Sequence, residues 1–167
     1  MRPMTKKLAV LGLCTAVALV LAYVEALLPP LFHAVPGIKI GLPNIIIVFV
    51  LYRFGFVEAA TVSLIRMVAV SFMFGNLMAL VYSLAGAFLS MLIMVLLKKM
   101  NFLSVVGVSV AGGVFHNVGQ ILMAMYLLGT AELGYYLVVL TLTGTVCGIF
   151  VGLCGASIVK RIPKNFI

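Results

Sequence analysis

The sequence predicts an all-α membrane protein in which six transmembrane helices form one bundle. Three observations support this fold class. Six long apolar runs fill nearly all of the 167 residues, and most are long enough to cross about 30 Å of hydrocarbon as helices. The basic residues lie almost only in the gaps that one side of a membrane would meet. The connectors are short, so we expect a single integral membrane domain, residues 1–167, and no separate soluble domain.

The apolar runs define the predicted helices. They are Leu8 to Leu28, Ile40 to Leu51, Val57 to Phe74, Leu77 to Leu97, Phe102 to Leu128 and Tyr135 to Val159. The second run is short and is the weakest candidate for a full crossing. The first run is about twice as long as the apolar part of a signal peptide. We therefore expect it to remain in the mature protein.

The basic residues predict the orientation. Nine of the 11 Lys and Arg residues fall in the terminal tails or after the second and fourth runs: Arg2, Lys6, Lys7, Arg53, Lys98, Lys99, Lys160, Arg161 and Lys164. The opposite side receives only Lys39. By the positive-inside rule both termini are predicted to be cytoplasmic, which requires an even number of crossings. Orientation and contact with the lipid bilayer account for the formal charge of +8, so no nucleic-acid partner is expected.

The connection between the first two runs is rich in proline and glycine. It contains Pro29, Pro30, Pro36, Gly37, Gly41 and Pro43. Such residues prevent one continuous helix through this segment. We expect a structured outer loop, which is either a tight turn between two helices or a lid over an outward-facing cavity.

Small residues recur at every fourth position in the first and last runs. They are Cys14, Ala18, Ala22 and Ala26, and Gly144, Gly148, Gly152 and Ala156. In lipid, such stripes let helix backbones approach closely. Packing inside the bundle is one interpretation, and contact with a partner membrane protein is the other. The cysteines Cys14, Cys147 and Cys154 all lie in the runs and are predicted to be packing residues.

Arg66 is the most unusual polar residue. It lies about nine residues into the third run, which is about 14 Å along a helix and close to mid-membrane. Facing lipid would cost at least about 2.5 kcal/mol, so Arg66 should face the interior of the bundle. It then meets either a structural partner across helices or a ligand, and the second is favoured.

The fifth run carries a predicted polar face. Ser109, Gly113, His116 and Gln120 are spaced by four, three and four residues, with Asn117 adjacent. A lone histidine in such a run is often a hydrogen-bonded packing residue. Its neighbours, and the similar depth of polar residues on the first two runs, favour a substrate-binding cavity instead. The predicted site comprises Arg66, His116, Asn117, Gln120, Asn44, Lys39 and Glu25.

The residues that are missing restrict the chemistry. The sequence contains no Asp and no Gly-Lys pair, so it offers neither a P-loop for ATP nor an aspartate-rich magnesium site for diphosphates. Ser109 and His116 are two helical turns apart, too far for a nucleophile and its base. We expect no enzyme activity from this chain alone, no cofactor and no bound metal.

Four segments resemble a known family. They are Pro36-Gly37-Ile38-Lys39-Ile40-Gly41-Leu42-Pro43-Asn44-Ile45, Ser63-Leu64-Ile65-Arg66, Tyr82-Ser83-Leu84-Ala85-Gly86 and His116-Asn117-Val118-Gly119-Gln120. Together and in this order they resemble the Gx transporter family of small bacterial membrane proteins, which is also labelled heptaprenyl diphosphate synthase component I. Pro43 stands where that family has a small residue.

This family is similar to the substrate-binding S components of energy-coupling factor (ECF) transporters. The resemblance implies six helices in a bacterial cell membrane, a small-molecule substrate, and partners that supply energy: a transmembrane coupling subunit and two ATPases. It also implies that Ala18, Ala22 and Ala26 meet the coupling subunit. The synthase label implies instead a noncatalytic accessory subunit of a heptaprenyl diphosphate synthase or of a quinone or isoprenoid pathway. A freestanding carrier of such a precursor is a third possibility.

Overall fold

The structure is a computed structural model, which describes residues 3–27 and 40–162. Within these ranges the chain forms six α-helices: α1 Pro3–Leu27, α2 Asn44–Arg53, α3 Phe56–Phe74, α4 Leu77–Met100, α5 Val105–Leu128 and α6 Tyr136–Arg161. A 3-10 turn over Glu132–Tyr135 precedes α6. No strand occurs in these ranges, so the all-α class is confirmed.

Polar residues and glycines mark the helix ends. Asn76 and Ser104 cap the starts of α4 and α5, where their side chains accept hydrogen bonds from backbone N–H groups at the third position. Asn101 and Gly129 end the same two helices in the left-handed conformation. Gly55 joins α2 to α3 with a φ of 122°, a value that side-chain-bearing residues rarely adopt.

The second helix differs from its prediction. It begins at Asn44 rather than Ile40 and has ten residues, so it is only about 15 Å long. Gly41, with a φ of 80°, and Pro43 at the N-cap turn the chain immediately before it. The other five helices are long and apolar enough to cross a membrane. A complete crossing by the segment that contains α2 remains a prediction.

α2 lies at the centre of the protein. Its residues Ile45 to Leu51 are all buried, as expected for a helix that is apolar on every side. It packs against α1, α3 and α6. α5 packs against both α4 and α6, and α3 connects α1 with α4. These three helices therefore cover the apolar residues of the short α2.

The glycine stripe of α6 packs against α5. A Cβ atom added to Gly148 would lie 2.6 Å from the Cα of Val110, and one added to Gly144 would lie 2.8 Å from Nδ2 of Asn117. Both distances are too short for a side chain. The prediction that this stripe serves internal packing is confirmed for these two glycines.

Three basic side chains form an ion pair or hydrogen bonds at one end of the bundle. Lys7 of α1 forms an ion pair of 2.5 Å with Glu58 of α3. Arg53 donates to the carbonyl oxygen of Val159 at 2.6 Å, and Lys98 donates to that of Leu51 at 2.6 Å. These contacts place the starts of α1 and α3 and the ends of α2, α4 and α6 on the same side of the protein. The backbone carbonyls at the helix ends gain hydrogen bonds and a favourable charge.

Candidate functional site

Three helices bring ionisable side chains together inside the bundle. Glu25 lies near the end of α1, Arg66 in the middle of α3, and His116 in the middle of α5. Glu25 and Arg66 are close enough to interact electrostatically, and Arg66 likewise acts on the His116 ring. We call these three residues the Arg66 cluster.

The guanidinium of Arg66 has an unpaired donor among the described residues. Its Nε atom is buried and has no hydrogen-bond partner in the described part of the chain. The ion pair found within 4.0 Å among the described residues joins Lys7 to Glu58, so Arg66 and Glu25 are not in direct contact. A buried donor without a partner costs on the order of 1–3 kcal/mol, and more when it is charged. Arg66 therefore has a hydrogen-bond donor that the described part of the protein does not use.

Glu25 anchors the start of α2. Its Oε1 atom accepts a hydrogen bond of 2.5 Å from the N–H of Gly41. The side chain of Asn44 lies beside the same glycine, because a Cβ atom on Gly41 would come within 3.0 Å of its Nδ2. The backbone N–H of Asn44 also donates to the Gly41 carbonyl at 2.8 Å. Two predicted site residues, Glu25 and Asn44, thus meet at this turn.

His116 and Gln120 lie at a close crossing between α5 and α4. A Cβ atom on Gly86 would be 2.7 Å from the carbonyl oxygen of His116 and 2.8 Å from Cγ of Gln120. The Cε1 atom of the His116 ring would lie 3.1 Å from the same Cβ atom. Only a glycine allows this approach, so Gly86 fixes the position of the ring relative to Arg66.

Asn117 has a different environment. Its Nδ2 atom donates to the carbonyl oxygen of Leu140 on α6 at 2.6 Å. Ser109 also faces α6, since its Cβ would lie 3.0 Å from a Cβ added to Gly152. That these residues line one substrate-binding cavity remains a prediction; on α5, Asn117 and Ser109 contact α6, whereas His116 and Gln120 contact α4. The physical reason is that α5 is packed between two helices and divides its polar side chains between them.

The remaining predicted residues are Lys39 and the alanines of α1. Lys39 and most of the proline-rich connection lie outside the described residues. Ala18 is fully buried and Ala22 is buried at 7% exposure, while Ala26 is exposed. In this conformation the first two alanines are covered by the protein itself, and only Ala26 could meet a partner.

Two residues near the site were not predicted to belong to it. Gly86 was part of a family-like segment, and its role as the contact for His116 emerges only from the helix crossing. Cys147 of α6 lies within electrostatic range of Glu25. No signal in the sequence pointed to this proximity, because the two residues are far apart in the chain. In the described part of the chain, no three His, Cys, Asp or Glu residues are placed to hold a metal ion.

A separate apolar groove lies between α4 and α5. It has a volume of about 520 Å³ and is lined by Leu84, Ala85, Phe88, Leu89, Gly119, Leu122, Met123 and Tyr126. None of the three residues of the Arg66 cluster lines it. Its apolar lining suits lipid chains and offers no group for binding a charged substrate.

The fold and the Arg66 cluster define a multi-pass helical membrane protein with an ionisable cluster in its interior. The family described as heptaprenyl diphosphate synthase component I matches residues 14–158, which include most of α1 and almost all of the other helices. The chain belongs to this family, and the resemblance noted in its four sequence segments is confirmed. No curated protein and no solved structure matches the chain.

Proposed function

We propose that this protein is the substrate-binding membrane subunit of a transporter of the ECF type, similar to an S component, and that it takes up a small molecule. The observation that carries this proposal is Arg66, whose buried Nε lacks a hydrogen-bond partner in the described part of the chain. An ionisable residue inside a membrane protein is costly and generally serves a substrate, an ion or a proton pathway. A bound substrate would supply the missing acceptor.

The energy for uptake would come from other proteins. The sequence has no Gly-Lys pair from which to build a P-loop. A transmembrane coupling subunit and two ATPases are the partners of such a subunit, which would lie in a bacterial cell membrane. The exposed Ala26 at the end of α1 is the part of the alanine stripe that remains available for contact with the coupling subunit.

The proposed topology has six crossings with both termini in the cytoplasm. Cys14, Cys147 and Cys154 would be replaced, and single cysteines introduced at Lys99 and Glu132, which are both exposed. An impermeant thiol reagent added to intact cells should label the Glu132→Cys variant and spare Lys99→Cys until the cells are opened. Lys99 lies in the last turn of α4, on the basic side of the protein. Labelling of Lys99→Cys from outside would contradict the orientation.

The function is tested by gentle purification of the affinity-tagged chain from the cells that express it. We expect a coupling subunit and two ATPases to copurify, and mass spectrometry to detect a retained small molecule. The chain alone should show neither ATP hydrolysis nor prenyl transfer, and uptake should require the ATPases. Turnover of either reaction by the isolated chain would contradict the proposal.

The family description supports one further candidate. The chain belongs to the family of heptaprenyl diphosphate synthase component I, so a noncatalytic accessory subunit of such a synthase, or of a quinone or isoprenoid pathway, is the alternative. Copurification with a soluble prenyl synthase, without ATPases, would favour this alternative. A freestanding carrier would copurify with neither.

A further inference from the structure

The Arg66 cluster holds two opposite charges that are close but not joined. Glu25 and Arg66 interact electrostatically, yet the ion pair within 4.0 Å in the described ranges is that of Lys7 and Glu58. Direct contact would compensate the desolvation of Arg66 better than separation does. The arrangement therefore differs from a structural ion pair and leaves room for a ligand that contacts both charges.

Both side chains have hydrogen-bonding capacity left for a ligand. Arg66 can only donate, and its Nε has no acceptor in the described part of the chain. Glu25 can only accept when ionised, and its Oε1 is already occupied by the Gly41 N–H. Its second oxygen, Oε2, is the one that can accept from a ligand. The two charges thus require different groups: an acceptor next to Arg66 and a donor next to Glu25.

We propose that the Arg66 cluster binds a net-neutral small molecule that presents an anionic or carbonyl group to Arg66 and an N–H or O–H group to Glu25. Zwitterions and cyclic amides have this chemistry. The inference rests on the proposed function and specifies its substrate class. Gln120, which packs against the same glycine as His116, adds an amide that can both donate and accept.

A prenyl diphosphate fits the described part of this site poorly. A diphosphate carries several negative charges and is normally held by more than one cation or by carboxylate-bound magnesium. Here the one Arg of the cluster is accompanied by a carboxylate, which repels phosphate oxygens. The carboxylate of Glu25 therefore selects against polyanions and in favour of ligands with a donor group.

The test uses a small-molecule extract of bacterial cells, separated at pH 7 by anion and cation exchangers into anionic, cationic and net-neutral fractions. Thermal unfolding of the purified full chain in detergent is followed with a thiol-reactive dye, which reports exposure of the buried Cys14. The net-neutral fraction should raise the midpoint of unfolding. Arg66→Gln and Glu25→Gln should each lose this shift, although the amide introduced by Glu25→Gln retains an oxygen for the Gly41 N–H.

The matched control is Glu58→Gln. This substitution removes a carboxylate that pairs with Lys7 at the starts of α1 and α3, away from the Arg66 cluster. This variant should retain the full shift. A shift produced by the anionic or cationic fraction, or one that survives Glu25→Gln, would overturn the substrate class while leaving a binding function in place. The absence of a shift with every fraction would overturn the proposed function as well.

Discussion

Replacing Arg66 with Leu should leave the empty protein as stable as before, or make it more stable, while abolishing the stabilisation by its copurified ligand. The buried Nε has no hydrogen-bond partner in the described part of the chain, so the substitution breaks no bond to Nε and removes a costly buried charge. A ligand at about 100 times its dissociation constant stabilises a protein by about 2.7 kcal/mol, and this shift should disappear. Thermal unfolding with and without the ligand measures both effects. The chain has no Trp, so a thiol-reactive dye is the appropriate reporter.

Arg53→Leu is the matched control for this experiment. Arg53 also has a buried Nε without a partner in the described ranges, but its guanidinium donates to the carbonyl oxygen of Val159. Loss of a hydrogen bond from a charged group costs about 1.5–3 kcal/mol. Arg53→Leu should therefore lower the stability of the empty protein and preserve the ligand-induced shift. Early unfolding of empty Arg66→Leu, or a full ligand shift in that variant, would assign Arg66 to the scaffold.

The helices could be predicted from the sequence because lipid leaves the backbone few alternatives. Five predicted runs match long helices to within a few residues at most ends, since every backbone polar group inside a membrane must be paired. α1 is the exception at its start, which extends to Pro3. The short α2 was predicted to begin at Ile40 but begins at Asn44. The apolar run alone does not reveal that Gly41 and Pro43 turn the chain before the helix.

The candidate site was predictable in its residue types and only partly in its geometry. The cost of burying Arg66 in lipid indicated an inward position, and in the structure Arg66 lies within electrostatic range of Glu25 and His116. Helical spacing could not show that Asn117 faces α6, because this depends on which helices flank α5. Likewise, the contact between Gly86 and His116 depends on the crossing of two helices, which no pattern within one helix encodes.

Gly148→Ala should destabilise the protein strongly, because the glycines of α6 set its distance from α5. A Cβ atom at Gly148 would lie 2.6 Å from the Cα of Val110 and 3.1 Å from the carbonyl oxygen of Ser109. These are backbone atoms, so the two helices must move apart to accommodate the methyl group. Overpacking of this kind costs about 1–3 kcal/mol, and separation of the helices also forfeits the close packing on which association in lipid depends.

Gly12→Ala is the control for the same substitution at an open position. Gly12 is exposed on α1, and a Cβ atom there meets nothing within 4 Å. Alanine in an open helical position is more stable than glycine by about 0.5–1 kcal/mol, so this variant should unfold at the same temperature or a higher one. Thermal unfolding in one detergent compares the two variants with the parent chain. If Gly148→Ala unfolds no earlier than Gly12→Ala, then α5 and α6 are not held by direct contact at this glycine, and the packing of the bundle along the α6 stripe must be different.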